Sequence, residues 1–189
     1  MATSPTVLIV EDERLLGELF ETWLESAYTV RVANDGEQAL EMLDDEVSMA
    51  LLDRRMPGLS GDAVLDEIRN RGYDFPVAMV TAVDPDFDIV EMRFDDYLVK
   101  PVSRETLLDL VDSLITLPSY TDAVQQYFQL STKKAALEAN KSQAELNSSE
   151  EYEKLLEKHA EAKNRADTRV ESISDQISFS DLDDKSYFS

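Results

Sequence analysis

Along the first two thirds of the chain, apolar positions alternate between two periods. Thr6–Val10 (TVLIV), Met49–Asp53 (MALLD) and Pro76–Thr81 (PVAMVT) are short, nearly continuous apolar runs. Runs of that length read as strands buried on both faces. Tyr28–Ala33 (YTVRVA) alternates with a period of two, and Asp96–Lys100 (DYLVK) is a fifth strand. Between them apolar residues recur at helical spacing: Leu15, Leu16, Leu19, Phe20, Trp23 and Leu24, then Ala39, Leu40 and Leu43, then Val64, Leu65 and Ile68. Ser60 opens the third of these helices and Gly72 closes it. A brief helix before the fifth strand and a longer one over about Ser103–Thr116 complete five β-α units. Such an alternation predicts a doubly wound parallel five-stranded sheet of flavodoxin-like order 2-1-3-4-5, with right-handed crossovers.

After Leu117-Pro118 the pattern changes. Thr121–Asn147 is rich in Ala, Gln, Lys and Glu and predicts a helix whose best apolar positions are Val124, Tyr127, Phe128, Leu130, Ala135 and Leu137. Asn147–Glu151 (NSSEE) breaks it, and the Ser148/Glu151 spacing predicts a capping box. A second helix then carries Tyr152, Leu155, His159, Ala162, Ala166, Val170, Ile173 and Ile177 in one narrow stripe. Two helices with a short break predict an α-helical hairpin or coiled coil that needs a partner, either its own copy or the first domain. The chain therefore divides into residues 1–118, a helical region at 119–177 and a loose polar tail at 178–189. His159 lies on the stripe and reads as packing, not as a reactive group.

Composition sharpens this picture in three ways. The 189 residues include no cysteine and one histidine, which excludes disulfides, thiolate chemistry and histidine-rich zinc sites. Forty acids against 18 bases give a net charge of −22, which opposes nucleic acid and anionic membranes. The excess is spread over nearly every helix, a distribution suited to high salt, where screening is short-ranged. No apolar run reaches bilayer length and Met1–Pro5 carry no leader pattern, so the sequence predicts a cytoplasmic protein without membrane association.

In open parallel sheets, sites form outside the carboxyl ends of the strands. The first strand ends at Glu11, Asp12 and Glu13, the third at Asp53, the fourth at Thr81 and the fifth at Lys100-Pro101. Any one of these alone is explained by a strand end meeting solvent. Together they form a different object. Clustered carboxylates call for a cation, and oxygen ligands with room for water suit Mg²⁺. An aspartate kept ionised there can attack phosphorus, and a lysine and a hydroxyl can hold the phosphoryl oxygens.

The pieces VLIVEDE, LLDRRMPGLSG, VAMVTA and DDYLVKPV resemble the receiver domain of response regulators in two-component signalling, over about residues 5–118. The resemblance implies that Asp53 is the phosphoacceptor for a sensor histidine kinase. It implies that Asp12, Asp53 and the Arg55 carbonyl ligate Mg²⁺, with Glu11 acting mainly through water. Thr81 and Lys100 would contact the phosphoryl group and Tyr97 would be an aromatic switch. The Lys100–Pro101 bond would be cis, and Met56, Pro57, Gly58 and Gly61 would shape the loop after Asp53. Arg54 and Arg55 would supply that carbonyl and an exposed flank. The activity implied is self-catalysed phosphotransfer with slow autodephosphorylation, not turnover of a separate substrate. One departure stands out: only nineteen positions separate Thr81 from Lys100, so the fourth helix must be short.

Residues 119–189 resemble the HalX-type C-terminal region of haloarchaeal response regulators, in KKAALEA and EYEKLLEK. The compact three-helix pattern and basic face of a DNA-reading output are missing. Acidity and that missing motif favour a protein partner, or a homodimer through these helices, over the alternative of a DNA-binding transcriptional regulator.

Overall fold

The structure, a computed structural model, describes residues 4–116 and 122–183, with side chains through residue 167. Five strands, β1 (Thr6–Val10), β2 (Thr29–Ala33), β3 (Val47–Leu52), β4 (Val77–Thr81) and β5 (Asp96–Val99), pair in parallel in the order β2-β1-β3-β4-β5. The order and direction are those predicted. β1 and β4 are buried along their whole length, whereas the edge strands β2 and β5 are mostly half-buried. That is why the central runs are uniformly apolar and the edges alternate.

Alternate residues of each strand feed opposite cores. Val7, Ile9, Met49, Leu51, Ala78 and Val80 face helices α1 (Arg14–Leu24) and α4 (Arg104–Thr116), with Phe20, Leu24, Leu107 and Val111. Leu8, Val10, Ala50, Leu52 and Met79 face α2 (Gly36–Glu41) and α3 (Gly61–Asn70). Local chemistry fixes the helix starts: Asp35 accepts from the Gln38 N–H at 2.7 Å and Ser60 from the Ala63 N–H at 3.3 Å. Each cap satisfies an otherwise orphaned donor and contributes about 1 kcal/mol.

The fourth helix is shorter than any ordinary helix. Between β4 and β5 lies one 3-10 turn, Phe87–Val90, capped by Asp86. Four residues cannot cover the β4–β5 end of the sheet. The C-terminal helices cover it instead: α5 (Asp122–Asn140), α6 (Gln143–Ser148) and α7 (Glu150–Asp183). Leu130, Leu137, Tyr152, Leu155 and Ala162 are buried in the same core as Ile89, Val90, Phe94 and Tyr97. Burial of each large apolar side chain stabilises by about 1.5–3 kcal/mol. Of the two partners open to the hairpin, its own first domain is the one in place.

Several details of this region depart from the sequence pattern. The first C-terminal helix stops at Asn140, and the capping box is Ser142/Glu145, not Ser148/Glu151. The Ala- and Glu-rich surroundings of Ser142 carry helical propensity through the break and hide it. Ser149 caps α7 by accepting from the Tyr152 N–H at 3.1 Å. On α5, Phe128 and Ala135 are exposed and Lys133 is buried, because the covered stripe runs Leu130, Lys133, Leu137. α7 continues past residue 177 to Asp183, since polar residues without Gly or Pro do not stop a helix. His159 packs as expected, its ring 5.0 Å from that of Tyr127 and its Nε2 3.0 Å from the Ser131 hydroxyl. The side chains of Val170, Ile173 and Ile177, and residues 184–189, lie outside the described residues.

Candidate functional site

Parallel pairing brings the carboxyl ends of β1, β3, β4 and β5 to one edge, and the predicted residues meet there. Asp53 follows β3 directly and is buried, as is Glu11 after β1, while Asp12 is exposed. Carboxylate oxygens of Glu11, Asp12 and Asp53 all lie within 4.8 Å of one another. Lys100, at the end of β5, places Nζ 2.5 Å from Glu11 Oε2 and 2.5 Å from Asp53 Oδ2. The Thr81 hydroxyl donates to Asp53 Oδ1 at 2.8 Å, and the Arg55 N–H donates to the same oxygen at 3.1 Å. The Lys100–Pro101 bond is cis.

Burial and pairing compete in setting charge. Burial raises the Glu11 pKa; the Lys100 ammonium offsets part of that and the Asp53 charge adds to it. Burial alone would lower the Lys100 pKa, but hydrogen bonds to Asp53 and Glu11 outweigh it and hold the value above that of an ordinary lysine. The ammonium is thus a fixed positive charge between two acids.

The loop after Asp53 is built for close approach. A Cβ added at Gly61 would lie 2.0 Å from the Asp53 carbonyl oxygen, so only glycine lets α3 begin against that carbonyl. The Gly61 N–H donates to the Arg54 carbonyl at 3.0 Å. Gly58 takes φ +75°, the left-handed region that favours glycine, and Met56 is buried beside Pro57.

One side chain behaves differently from its sequence reading. Arg54 is not an exposed flank. Its guanidinium is buried, takes both oxygens of Asp62 at 2.9 and 2.8 Å, and reaches Asp88 Oδ2 at 2.5 Å. These hydrogen bonds, opposed by burial, raise its pKa. Arg55 is the exposed one. No sequence signal marks Arg54, because Asp62 and Asp88 come from two separate elements. Tyr97 is buried, with its hydroxyl donating to the Val83 carbonyl at 2.7 Å and its ring 5.6 Å from Phe94. Burial pushes the Tyr97 phenol pKa up.

Chemically, the edge offers three clustered carboxylates, a hydroxyl and an ammonium that converge on one aspartate. An all-oxygen set of this kind fits a hard divalent cation such as Mg²⁺. A doubly wound parallel sheet with that edge defines the receiver class of signalling domain. The family model of the response regulator receiver domain matches residues 7–112, and a HalX domain model matches residues 116–183. The chain belongs to the response regulator receiver family, followed by a HalX region.

Among its relatives is a protein of Haloferax volcanii described as a putative transcriptional regulator. It is 48% identical over 139 residues, which is 73% of this chain and 24% of that protein. The transcriptional regulatory protein CpxR of Escherichia coli K12 is 36% identical over 123 residues, covering 63% of this chain and 53% of CpxR. The chain thus spans about a quarter and about half of the length of these two relatives. Among solved structures, the Francisella response regulator 1452 receiver domain superposes with a TM-score of 0.55 at 27% identity, covering 61% of this chain and 99% of that one. The Thermotoga maritima response regulator TrrA, solved with Mg²⁺ and BeF, gives a TM-score of 0.51 at 30% identity, over 58% of this chain and 97% of that one. No helix among the described residues is long and apolar enough to cross a membrane.

Proposed function

We propose that the chain is a two-component response regulator in which Asp53 accepts a phosphoryl group from a sensor histidine kinase and thereby alters the interactions of α5–α7. The convergence of Glu11, Asp12, Lys100 and Thr81 on Asp53 carries this reading. A carboxylate oxygen of Asp53 attacks phosphorus, the phosphorus–nitrogen bond of the phosphohistidine breaks, and the imidazole leaves with its electron pair and takes a proton. Asp12, Asp53 and the Arg55 carbonyl would hold Mg²⁺, with Glu11 acting through water, and the ion would supply neutralisation of charge on the phosphoryl oxygens. Lys100 moves its donor bond from the Asp53 oxygen to the phosphoryl group. Thr81 follows with its hydroxyl, and Tyr97 reports that movement. Hydrolysis of the acyl phosphate slowly regenerates Asp53. The response regulator TrrA was solved in complex with Mg²⁺ and BeF, which supports the same ligand class here.

The test is intact-mass measurement after incubation with Mg²⁺ and a small phosphodonor. The wild-type chain gains one phosphoryl group and Asp53→Ala gains none; an adduct on the variant, or none on the wild type, overturns the proposal.

A second reading, transcription control through DNA contact by α5–α7, is favoured by the relatives' descriptions as transcriptional regulators. Lys133 is buried, however, and Lys134, Lys141 and Lys158 are paired with Glu138, Asp86 and Glu91. Lys154, Lys163 and Arg165 are exposed on α7, but acids outnumber bases along these helices, and a protein partner or a second copy of them suits that surface better. A pull-down in molar potassium separates the two, since sequence-specific DNA retention sinks the protein-partner reading. In this scheme residues 1–118 act as receiver and the helices that follow as output region, in the cytoplasm of a salt-adapted cell.

A further inference from the structure

The Asp53 site and the C-terminal helices touch the same stretch of chain, residues 83–95, from opposite sides. On the site side a hydrogen-bond series runs outward. The Thr81 hydroxyl donates to Asp53, the Val83 N–H donates to the Thr81 oxygen at 3.3 Å, and the Tyr97 hydroxyl donates to the Val83 carbonyl. Arg54, next in sequence to Asp53, reaches Asp88 within the 3-10 turn. On the helix side the contacts are equally specific. Lys141 pairs with Asp86 at 2.9 Å and Lys158 with Glu91 at 3.2 Å. Lys133 donates to the Val90 and Met92 carbonyls at 2.9 and 2.5 Å, and Gln129 donates to Asp95 at 2.6 Å.

We propose that docking of α5 and α7 on residues 83–95 is the regulated interface of this chain, and that it tightens when Asp53 carries a phosphoryl group. The inference rests on the phosphoacceptor reading above and adds the surface on which it acts. Phosphoryl oxygens are stronger acceptors than one carboxylate oxygen, so they hold the Thr81 hydroxyl and, through it, Val83. Once Thr81 has shifted, Val83 and its carbonyl are held there, and the Tyr97 hydroxyl and ring follow. Tyr97 backs Phe94, which is fully buried and lies under the Lys133 ammonium, 5.3 Å from Nζ to the ring centroid.

Lys133 makes this docking sensitive to order. Its ammonium is buried, and among the described residues it touches two carbonyls and one ring, all on residues 90–94, with the Glu91 and Asp95 charges farther out. If those residues shift, the acceptors move away and a buried charge is left uncompensated, which is costly. A leucine in that position would tolerate such shifts. The lysine converts a small displacement near Asp53 into a change in helix docking.

The experiment is hydrogen exchange by mass spectrometry on the full chain, with intact mass read on the same sample after Mg²⁺ and phosphoramidate. We expect one phosphoryl adduct and exchange slowed at least about fivefold over residues 86–95 and 127–137. Lys133→Met keeps the adduct and loses the slowing. Should that variant not fold, Lys141→Ala, which removes the pair with Asp86, diminishes the slowing. An adduct with unchanged or faster exchange in those segments overturns the regulated interface alone. Absence of the adduct overturns the phosphoacceptor reading and the coupling with it.

Discussion

Lys133 gives the structure a pH dependence that can be worked out in advance. Burial, only partly opposed by Glu91, lowers its pKa from 10.5 to about 8. Below about pH 8 the ammonium is charged both folded and unfolded, and folding carries the full cost of burying it. Between about 8 and 10.5 the folded chain has given up the proton and the unfolded chain still holds it. The unfolded state binds more protons, so stability rises with pH across that window. Each pH unit there is worth about 1.4 kcal/mol, and the whole window about 3 kcal/mol. Tyr28 and Tyr152 act in the opposite sense. Burial and the carboxylates of Asp112 and Glu138 push their folded pKa values up to about 12, so their contribution fades only above the ordinary tyrosine value near 10. Urea unfolding by circular dichroism in molar KCl, at steps from pH 7.5 to 9.5, stays below that interference. Wild-type stability relative to Lys133→Met should climb by about 2 kcal/mol over the range. The slope is the readout, because the variant also leaves the Val90 and Met92 carbonyls without their donor and shifts the absolute value at every pH. Parallel pH curves for the two proteins would refute the burial of a charged lysine in this interface.

Two further outcomes follow from the geometry and the charge. Gly61→Ala sets a methyl group against the Asp53 carbonyl and should cost about 1–3 kcal/mol in urea unfolding, with a matching loss of phosphorylation rate as the Asp53 loop is displaced. With a net charge of −22, the thermal midpoint should rise from low salt to molar KCl as repulsion is screened within about 3 Å; a flat midpoint removes the salt-adapted reading.

The sheet was legible because its signal is redundant. Three apolar runs and two further strand-length segments specify strands, and the helices between them allow few topologies. The meeting of Glu11, Asp53, Thr81 and Lys100 was legible for the same reason: once strands are parallel, their last residues share an edge. What escaped is set by tertiary packing. Lys133 sits in a KK pair with no local mark of burial, and its place on the α5 stripe that covers residues 90–94 is what buries it. Arg54 looked like surface because its partners, Asp62 and Asp88, come from elements whose spacing no local pattern encodes. The step of nineteen positions from Thr81 to Lys100 predicted a missing stretch of helix, but not that residues downstream of 121 would fill the gap. Ser142 escaped because one capping residue inside a strongly helical composition is a weak signal.

The borrowed cover over β4 and β5 bears on how such a chain can be inherited. A receiver with a full fourth helix is finished before its output region begins, so outputs can be exchanged freely. Here Ile89, Val90, Phe94 and Tyr97 are buried together with Leu130, Leu137 and Leu155 from the region that follows. Recombination that swapped the C-terminal region for another would expose that apolar face, and truncation would do the same. During synthesis the face stays uncovered until α5 and α7 have been made. The two halves are therefore tied into a single unit of inheritance, and exchange between relatives should preserve the junction or replace both halves at once.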